Sequence, residues 1–376
     1  MYQLLQGIQV LDLTAIVLGP YATQIIGDFG ADVIKIEPPA GDLFRSVRPG
    51  RSATMGAGFL NLNRNKKSVV LDLKSDVGKK EFYELVASAD VVVHNMRPAA
   101  ANKLKIDYPT LSKINSDVIY CTAAGYGSDG PNCDEPAYDD IIQASSGIAA
   151  LNSNDKGEPR FLPTIICDKV GGLHLALAIL GGIAYKERTG SGCMIEAPMF
   201  ESIVSFMMVE QMAGMSFNPP LGGTGYERLL SPHRRPFKTK DGYIAVLPYN
   251  GKHWQAFLTF AGREEIANAD WVQNSISRSE NIGKLYEIVS ETMPRHTTSV
   301  WLENLRKLDI PCAPVAKIEE LFDDAHLRSV KMFEEYEHPS EKSLQTCRTP
   351  FRVTGVKSHT DSPAPNLGEN SDELLR

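Results

Sequence analysis

The 376-residue sequence lacks several features that would each point to a particular class of protein. Its six cysteines contain no Cys-x-x-Cys pair; they are Cys121, Cys133, Cys167, Cys193, Cys312 and Cys347. This spacing argues against a zinc ribbon or a disulfide framework, so reduced thiols are expected. None of the eight histidines forms a His-x-x-x-His or His/Cys ligand set, and no metal site is predicted. No Gly-x-Gly-x-x-Gly follows the first predicted strand, which argues against a nicotinamide or flavin cofactor.

Long apolar runs and a positive charge excess are missing too. The longest apolar stretch, residues 173–184, is interrupted by Gly181 and Gly182 and predicts a buried helix rather than a membrane span. The first residues carry neither a basic region nor a cleavage site, so the expected location is cytoplasmic and no membrane partner is expected. The net charge of −7 argues against a nucleic-acid partner.

What is present is the composition of a globular α/β protein, with 43% apolar and 23% charged residues. The length favours two domains. Strand patterns occur at residues 7–14, 30–37, 68–73, 91–94, 118–122 and 193–197, with helical patterns between them. Strands that alternate with helices predict a parallel, Rossmann-like sheet. Beyond a Pro-, Gly- and Arg-rich stretch, a strand at 241–248 and helices at 253–262, 281–292 and 298–307 predict a smaller α+β domain. A further helix is predicted near 318–332, in the last part of the chain.

Asp168 lies immediately before a long helix that is predicted to begin near Val170 and to continue to Tyr185. At such a position an Asp side chain commonly caps the helix by accepting from its first N–H groups. The same helix terminus favours the ionised carboxylate, and an ionised carboxylate is a nucleophile. The residues themselves are compatible with both interpretations.

Eleven short motifs occur in a fixed order along nearly the whole chain. They are GIQVLDLT (7–14), GADVIKIE (30–37), LNRNKKS (62–68), NMRP (95–98), GYG (125–127), PAYD (136–139), Asp168, GSG (190–192), DGY (241–243), IPCAP (310–314) and LGE (367–369). In this order and spacing they resemble the class III coenzyme A transferases, which include the formyl-CoA transferases and the carnitine CoA-transferase group.

The resemblance implies that Asp168 is a covalent nucleophile that passes through an aspartyl-acyl anhydride and an aspartyl-CoA thioester. The other residues that it implies in catalysis are Tyr138, Gly171 and Gly172, of which the glycines would let a thioester approach closely while nearby N–H groups stabilise its oxyanion. Their other interpretation is tight helix packing. An acyl-CoA and an acceptor carboxylic acid would be the substrates, with no permanently bound cofactor.

Residues that hold coenzyme A in the family are also matched. The resemblance places CoA against Ile16, Val17, Leu18, Leu71, Lys74, Asn95, Met96, Arg97, Lys103 and Leu104. The basic stretch at residues 63–67 precedes a predicted strand, and two interpretations stay open for it: cations for the diphosphate of CoA, or a solvated turn.

The resemblance further implies an interlocked homodimer in which two chains thread through one another. Residues 1–200 and 325–376 would build the large CoA-binding domain, 201–224 a linker, 225–310 the small domain and 311–324 a return linker. The segment from Gly222 to Arg235 would then act on the partner's site. Arg234 and Arg235 suggest a clamp for a second carboxylate, a hypothesis that an unchanged KM for every acid after their replacement would contradict.

Two other functions stay open from the sequence. An α-methylacyl-CoA racemase shares this fold and pairs its Asp with a His, a position that Tyr138 occupies here. A phenol with a pKa near 10 is a poor base at neutral pH. A CoA-binding protein without catalytic activity is the second alternative. Exchange of the α-proton for deuterium would identify the racemase.

Overall fold

A computed structural model describes residues 1–375, and the chain divides into two compact units. The first unit consists of Met1–Met207 together with the chain from Lys331 onwards, and the second consists of Met208–Val330. Each unit contains its own hydrophobic core.

A six-stranded parallel sheet forms the centre of the first unit. Its strands are β1 (Gln9–Asp12), β2 (Asp32–Glu37), β3 (Lys66–Val70), β4 (Val91–His94), β5 (Ile119–Thr122) and β6 (Cys193–Glu196). They lie in the order β3-β2-β1-β4-β5-β6, and every pairing is parallel. The predicted Rossmann-like sheet is therefore confirmed. Because the strand order reverses between β1 and β4, the loops that follow these two strands flank a crevice where such sheets bind ligands.

Helices cover both faces of this sheet. The helices as far as residue 211 are α1 (Leu18–Asp28), α2 (Ala57–Leu62), α3 (Asp76–Val86), α4 (Pro98–Leu104), α5 (Tyr108–Leu111), α6 (Asp139–Ser145), α7 (Ile148–Leu151), α8 (Ile166–Thr189) and α9 (Met199–Gln211). Helices α1 and α8 pack on one face through a core that includes Ile26, Leu175 and Ile179. The opposite face packs against α3 and α4 through residues such as Phe82 and Val86.

Among the boundaries that differ from the sequence-based prediction, three change the interpretation of a segment. Helix α8 begins at Ile166, so Asp168 lies inside its first turn rather than before it. Strand β3 begins at Lys66, two residues earlier than predicted, which places part of the basic stretch within the sheet. The helix predicted at 318–332 is a 3-10 turn (Ile318–Asp323) followed by a short helix, and an antiparallel hairpin follows it.

Helix α8 is long and apolar enough, by length and composition alone, to cross a membrane. In the first unit 56% of its most apolar window is buried, which is also typical of a core helix of a globular protein. It is longer than the stretch predicted from the sequence because its first turn and its basic last turn, with Lys186 and Arg188, extend the apolar segment.

The second unit consists of short helices around a small antiparallel sheet. Its elements are α10 (Glu227–Leu230), β7 (Phe237–Lys238), β8 (Tyr243–Val246), α11 (Gly251–Phe260), α12 (Glu264–Ala267), α13 (Asp270–Gln273), α14 (Ser275–Glu280), α15 (Ile282–Thr292), α16 (Thr298–Lys307), β9 (Cys312–Pro314) and α17 (Ala325–Ser329). Trp254, Phe257 and Trp301 form the centre of its core. Back in the first unit, β10 (Phe333–His338) pairs with β11 (Lys342–Cys347), and α18 (Ser371–Leu374) follows.

Candidate active site

Asp168 is the third residue of α8, in the first turn of the helix. Its side chain is 8% exposed, so most of the carboxylate is shielded from water. Asp168 does not cap its helix: the N-cap position is occupied by Ile165, which makes no capping contact. The capping interpretation from the sequence is therefore wrong for Asp168.

Asp139, the first residue of α6, performs the capping instead. Its Oδ1 accepts from the backbone N–H groups of Cys167 at 2.7 Å and Asp168 at 3.1 Å. Its Oδ2 accepts from the Gln143 side-chain amide at 2.6 Å. Asp139 is as buried as Asp168, so two carboxylates share one shielded site at the start of α8.

This arrangement raises the pKa of Asp168 from 3.8 to about 7. Burial is the main cause because a shielded site disfavours the charged carboxylate. The negative charge of Asp139 raises the pKa further, while the backbone N–H of Leu18 acts in the opposite direction. A carboxyl group with a pKa near neutrality beside a second carboxylate is typical of catalytic sites.

Sequence reasoning missed Asp139 as a functional residue. The available signal was its place in the PAYD motif, directly after the candidate residue Tyr138. Tyr138 is the N-cap residue of α6, and its side chain is 63% exposed. The structure therefore brings the backbone of Tyr138 next to a residue that contacts Asp168, and leaves the phenol open to solvent.

Gly171 and Gly172 lie where α8 crosses the start of α1. A Cβ on Gly171 would lie 2.7 Å from Cδ1 of Leu18, and one on Gly172 would lie 2.6 Å from the Leu18 carbonyl oxygen. Helix α1 thus occupies the space that the missing side chains leave. Both residues also lie beyond the first turn of α8, where backbone N–H groups bond within the helix. The glycines therefore permit close helix packing, the other interpretation drawn from the sequence, and the approach of a thioester to them stays a prediction.

The residues that the resemblance assigns to CoA follow three parallel strands and one helix. Ile16, Val17 and Leu18 come after β1, Asn95, Met96 and Arg97 come after β4, Leu71 and Lys74 come after β3, and Lys103 and Leu104 end α4. Since β1 and β4 are adjacent, the first two groups share the crevice of the sheet.

Only some of these side chains are accessible to a ligand. Val17, Leu18 and Leu71 are buried, and Met96 and Leu104 pack against the core on the α3 side of the sheet. The amide of Asn95 is bound within the protein, as it accepts from the Ala15 N–H at 3.0 Å and donates to the Ala15 carbonyl at 2.9 Å. The exposed members are the three cations Lys74, Arg97 and Lys103.

The three exposed cations differ in what they contact. Arg97 donates to the carbonyl oxygen of Asp134 at 2.8 Å. Neither Lys74 nor Lys103 has an ion-pair partner within residues 1–375. These two ammonium groups are thus available to an anionic ligand.

The basic stretch at residues 63–67 fits neither interpretation that the sequence left open. Arg64 is buried and pairs with Asp28 through Nη2 and Oδ2 at 2.5 Å. Lys66 is fully buried and pairs with Asp12 at 3.0 Å. Asn63 is also buried and accepts from Lys66. These cations neutralise carboxylates inside the first unit, so they are neither a ligand site nor a solvated turn.

Arg234 and Arg235 lie at a cavity of about 520 Å³ within the second unit. The cavity wall is largely apolar and includes Phe237, Leu247 and Tyr286. Both arginines are exposed, and neither has an ion-pair partner in the part of the chain that the structure describes. Their role as a carboxylate clamp stays a prediction. Within residues 1–375 no group of three or more His, Cys, Asp or Glu side chains is arranged to hold a metal.

Comparison with known proteins decides the family. The model of CoA-transferase family III matches residues 5–371. The chain belongs to CoA-transferase family III. The resemblance drawn from the eleven motifs is confirmed, and the protein is an enzyme of the CoA-transferase class.

The relatives of this transferase include enzymes that act on different acids. It is 30% identical to the human succinyl-CoA:glutarate CoA-transferase, over 99% of this chain and 85% of the relative. It is 31% identical to the succinyl-CoA:mesaconate CoA-transferase of Haloarcula marismortui, over 99% of this chain and 95% of the relative. These likenesses indicate transfer of CoA from an acyl-CoA to a carboxylate.

Solved structures confirm the fold of the transferase. The crystal structure of Rv3272 from Mycobacterium tuberculosis is similar with a TM-score of 0.86 and 27% identity, covering 99% of both chains. A CaiB/BaiF family protein from Brucella suis is similar with a TM-score of 0.82 and 27% identity, covering 100% of this chain and 99% of the other. The predicted class III fold is therefore confirmed.

Proposed function

We propose that this transferase moves CoA between carboxylic acids through covalent intermediates on Asp168. The Asp168 carboxylate attacks the thioester carbonyl, the C–S bond breaks, and CoA thiolate leaves an aspartyl-acyl anhydride. The thiolate then attacks the aspartyl carbonyl, which releases the first acid and forms an aspartyl-CoA thioester. The acceptor carboxylate runs the two steps in reverse order and regenerates Asp168. Each step exchanges one acyl bond for another, so no further reactant is needed.

The observation that carries this proposal is the shielded carboxylate of Asp168 between two helix N-termini. Asp168 lies in the first turn of α8, and the N–H of Leu18 at the start of α1 acts on its carboxylate. Helix N-termini favour negative charge, while burial and Asp139 oppose it. The resulting pKa of about 7 leaves about half of the carboxylate ionised at neutral pH, in a site with little competing water.

Oxyanion stabilisation is proposed at the start of α1 rather than at Gly171 and Gly172. The first N–H groups of any helix have no partner within the helix. Helix α1 has no side-chain cap at Val17, and its third residue, Pro20, has no N–H, so the donors that its first turn offers are the N–H groups of Leu18, which acts on Asp168, and Gly19. Donors of this kind stabilise the negative oxygen that forms when a thioester carbonyl is attacked.

CoA is proposed to lie along the carboxyl ends of β1, β4 and β3. The crevice between β1 and β4 leads from Ile16–Leu18 towards Arg97, and the unpaired Lys74 and Lys103 offer charge to the diphosphate. The proposed acceptors are dicarboxylic acids, because the two relatives described above are named for transfer to glutarate and mesaconate. The exposed pair Arg234 and Arg235 supplies guanidinium groups suited to a second carboxylate.

A homodimer is proposed as the working form. Leu173, Leu177, Gly181 and Tyr185 form an exposed stripe along α8 at intervals of four residues, which places them on one side of the helix. Helix α8 is therefore apolar on its buried and its exposed sides, a pattern typical of helices covered all round. A second copy of the chain is expected to cover the exposed side of α8. Light scattering is expected to give twice the mass of one chain; the mass of one folded, active chain would contradict the dimer.

The test of the mechanism is mass spectrometry after incubation with a panel of acyl-CoA donors, including succinyl-CoA. A CoA thioester on the peptide that contains Asp168 is expected in the wild type and is expected to be missing in Asp168→Ala. Asp140→Ala is the matched control, because Asp140 is an exposed carboxylate on α6. Adding glutarate or mesaconate to the isolated adduct is expected to discharge it and to yield the new acyl-CoA.

Absence of any adduct while CoA still binds would contradict the covalent mechanism. Deuterium uptake at the α-carbon of the bound acyl-CoA would then support a racemase. Binding with neither adduct nor exchange would indicate a CoA-binding protein without this chemistry.

A further inference from the structure

The loop between β1 and α1 has a backbone conformation that needs external support. Ile16 has a φ of +71°, in the left-handed region that β-branched residues rarely adopt. The loop ends at Leu18, whose backbone N–H acts on the Asp168 carboxylate. Its geometry therefore determines what the proposed nucleophile faces.

Side chains from three other segments hold this loop, of which Lys35 and Asp42 are buried and Asn95 is partly buried. Asn95 binds both the N–H and the carbonyl oxygen of Ala15. Lys35 on β2 donates to the Thr14 carbonyl oxygen at 2.8 Å. Asp42 accepts from the Ile16 N–H at 3.1 Å through Oδ1. The backbone of the loop is thus positioned by side chains distant in sequence.

Lys35 and Asp42 form an ion pair behind the loop. Nζ of Lys35 lies 2.9 Å from Oδ2 of Asp42, and the two side chains are at most 1% exposed. Asp42 also accepts from the Phe44 N–H at 2.9 Å through the same Oδ1 that holds Ile16. Removing two charges from water is unfavourable, and apolar residues of similar size often stabilise as well or better. The presence of this pair is therefore better explained by the loop geometry that it fixes than by a gain in the stability of the fold.

We propose that Lys35 and Asp42 are positioning residues for Asp168, because together they fix the β1–α1 loop and hold the start of α1 at the reacting carboxylate. The inference rests on the proposed function of Asp168 as nucleophile. Neither residue is assigned a contact with substrate. Both act through Thr14, Ile16 and the N–H of Leu18.

Loosening this loop is expected to change the ionisation of Asp168. The groups that face the carboxylate are Asp139 from α6, the Leu18 N–H from α1 and the neighbouring Cys167, whose own pKa is raised to about 12. The Leu18 N–H is the group among these that favours the charged form. If the Leu18 N–H is displaced, the pKa of Asp168 rises above about 7. A smaller fraction of Asp168 is then ionised at neutral pH, and a higher pH restores the ionised fraction.

The experiment measures the rate at which the CoA adduct forms on Asp168 between pH 6 and pH 9 in Asp42→Asn. The amide oxygen of Asn can still accept from Ile16, while its NH₂ group faces the ammonium of Lys35 and breaks the ion pair. We expect a rate about fivefold lower at pH 7, a KM for acyl-CoA within twofold, and a midpoint of the pH profile about one unit higher.

Two further variants separate positioning from folding. The double variant Lys35→Met with Asp42→Asn leaves no unpaired buried charge, so it serves if Asp42→Asn alone does not fold. Asp28→Asn is the matched control, because Asp28 also forms a buried ion pair, with Arg64, at the far end of α1. Ten residues of helix separate Asp28 from Leu18, about 15 Å. Asp28→Asn is expected to lower Tm without moving the pH midpoint.

A pH profile of Asp42→Asn and of the double variant that matches the wild type, with only Tm lowered, would overturn the positioning role. If the wild type itself forms no adduct, the proposed function fails and the positioning role is read from the carboxyl infrared band of Asp168. That band is assigned by difference from Asp168→Asn and titrated in both proteins. An equal midpoint in wild type and Asp42→Asn then also overturns the inference.

Discussion

Replacing Asp168 with Asn is expected to stabilise the protein at pH 8 by up to about 4 kcal/mol while it removes the covalent adduct and transfer. The pKa of Asp168 is about 7 in the folded chain and 3.8 when unperturbed, a difference of about three units. Each unit corresponds to about 1.4 kcal/mol between the two protonation states. The wild type therefore bears the cost of ionising a buried carboxylate, and the amide does not.

The sign of the pH dependence follows from the raised pKa. Below about pH 4 the carboxyl group is protonated in both the folded and the unfolded chain, so its ionisation does not destabilise the fold there. As the pH rises towards 7, the unfolded chain ionises first and is favoured. The advantage of Asp168→Asn is expected to grow over this range and to level off above pH 7.

Urea unfolding at pH 4, 6 and 8 checks this expectation, with turnover measured on the same samples. Asp140→Asn is the control, because Asp140 is exposed and its replacement leaves no buried charge. A difference between Asp168→Asn and the wild type that is the same at pH 4 and pH 8 would contradict the raised pKa. Retained transfer in Asp168→Asn would contradict the nucleophile.

The surroundings of Asp168 make its ionisation unfavourable for the stability of the fold. Asp139 is held by the first N–H groups of α8 and by Gln143, and it places a second negative charge at Asp168. An apolar residue at position 168 would satisfy packing without that cost. Residues that lower the stability of the fold are commonly found at functional sites, because they are needed for function and not for folding.

The parallel sheet was predictable because the sequence patterns that define its strands and helices are local. Strands such as β4, with the sequence VVVH, are short apolar runs that are buried along their whole length. Helix α1 has Pro20 in its first turn and is followed by Gly30, which has a φ of +98°. Patterns of this kind lie within a few residues of each other, so a single sequence contains them.

Contacts between distant residues account for what the sequence did not predict. Arg64 and Lys66 looked like ligand-binding or solvated cations because their partners, Asp28 and Asp12, lie 36 and 54 residues away. Asp168 was interpreted as a helix cap because its own sequence neighbourhood does not show that Asp139, on another helix, provides the capping carboxylate. The hairpin of β10 and β11 was missed because its strands alternate polar and half-buried residues, without an apolar run.

Lys66→Met is expected to lower the free energy of unfolding by about 3–5 kcal/mol, the usual effect of breaking a buried ion pair from one side. The ammonium of Lys66 lies 2.7 to 3.0 Å from four acceptors, on Asp12, Thr23, Asn63 and the carbonyl oxygen of Pro20, which share its three N–H groups. Methionine fills similar space and makes none of these bonds. Asp12, whose pKa is lowered to about 2 although burial acts to raise it, would be left with less charge compensation.

Lys67→Met is the matched control on the next residue. Its ammonium pairs with Asp32 at 3.0 Å on a partly exposed surface, where an ion pair contributes at most about 1 kcal/mol. Thermal unfolding and the KM for acyl-CoA are measured for both variants. If the basic stretch held the diphosphate of CoA, Lys66→Met would raise KM and keep Tm. The buried pairing predicts the reverse: a lower Tm, and an unchanged KM at temperatures where the variant stays folded.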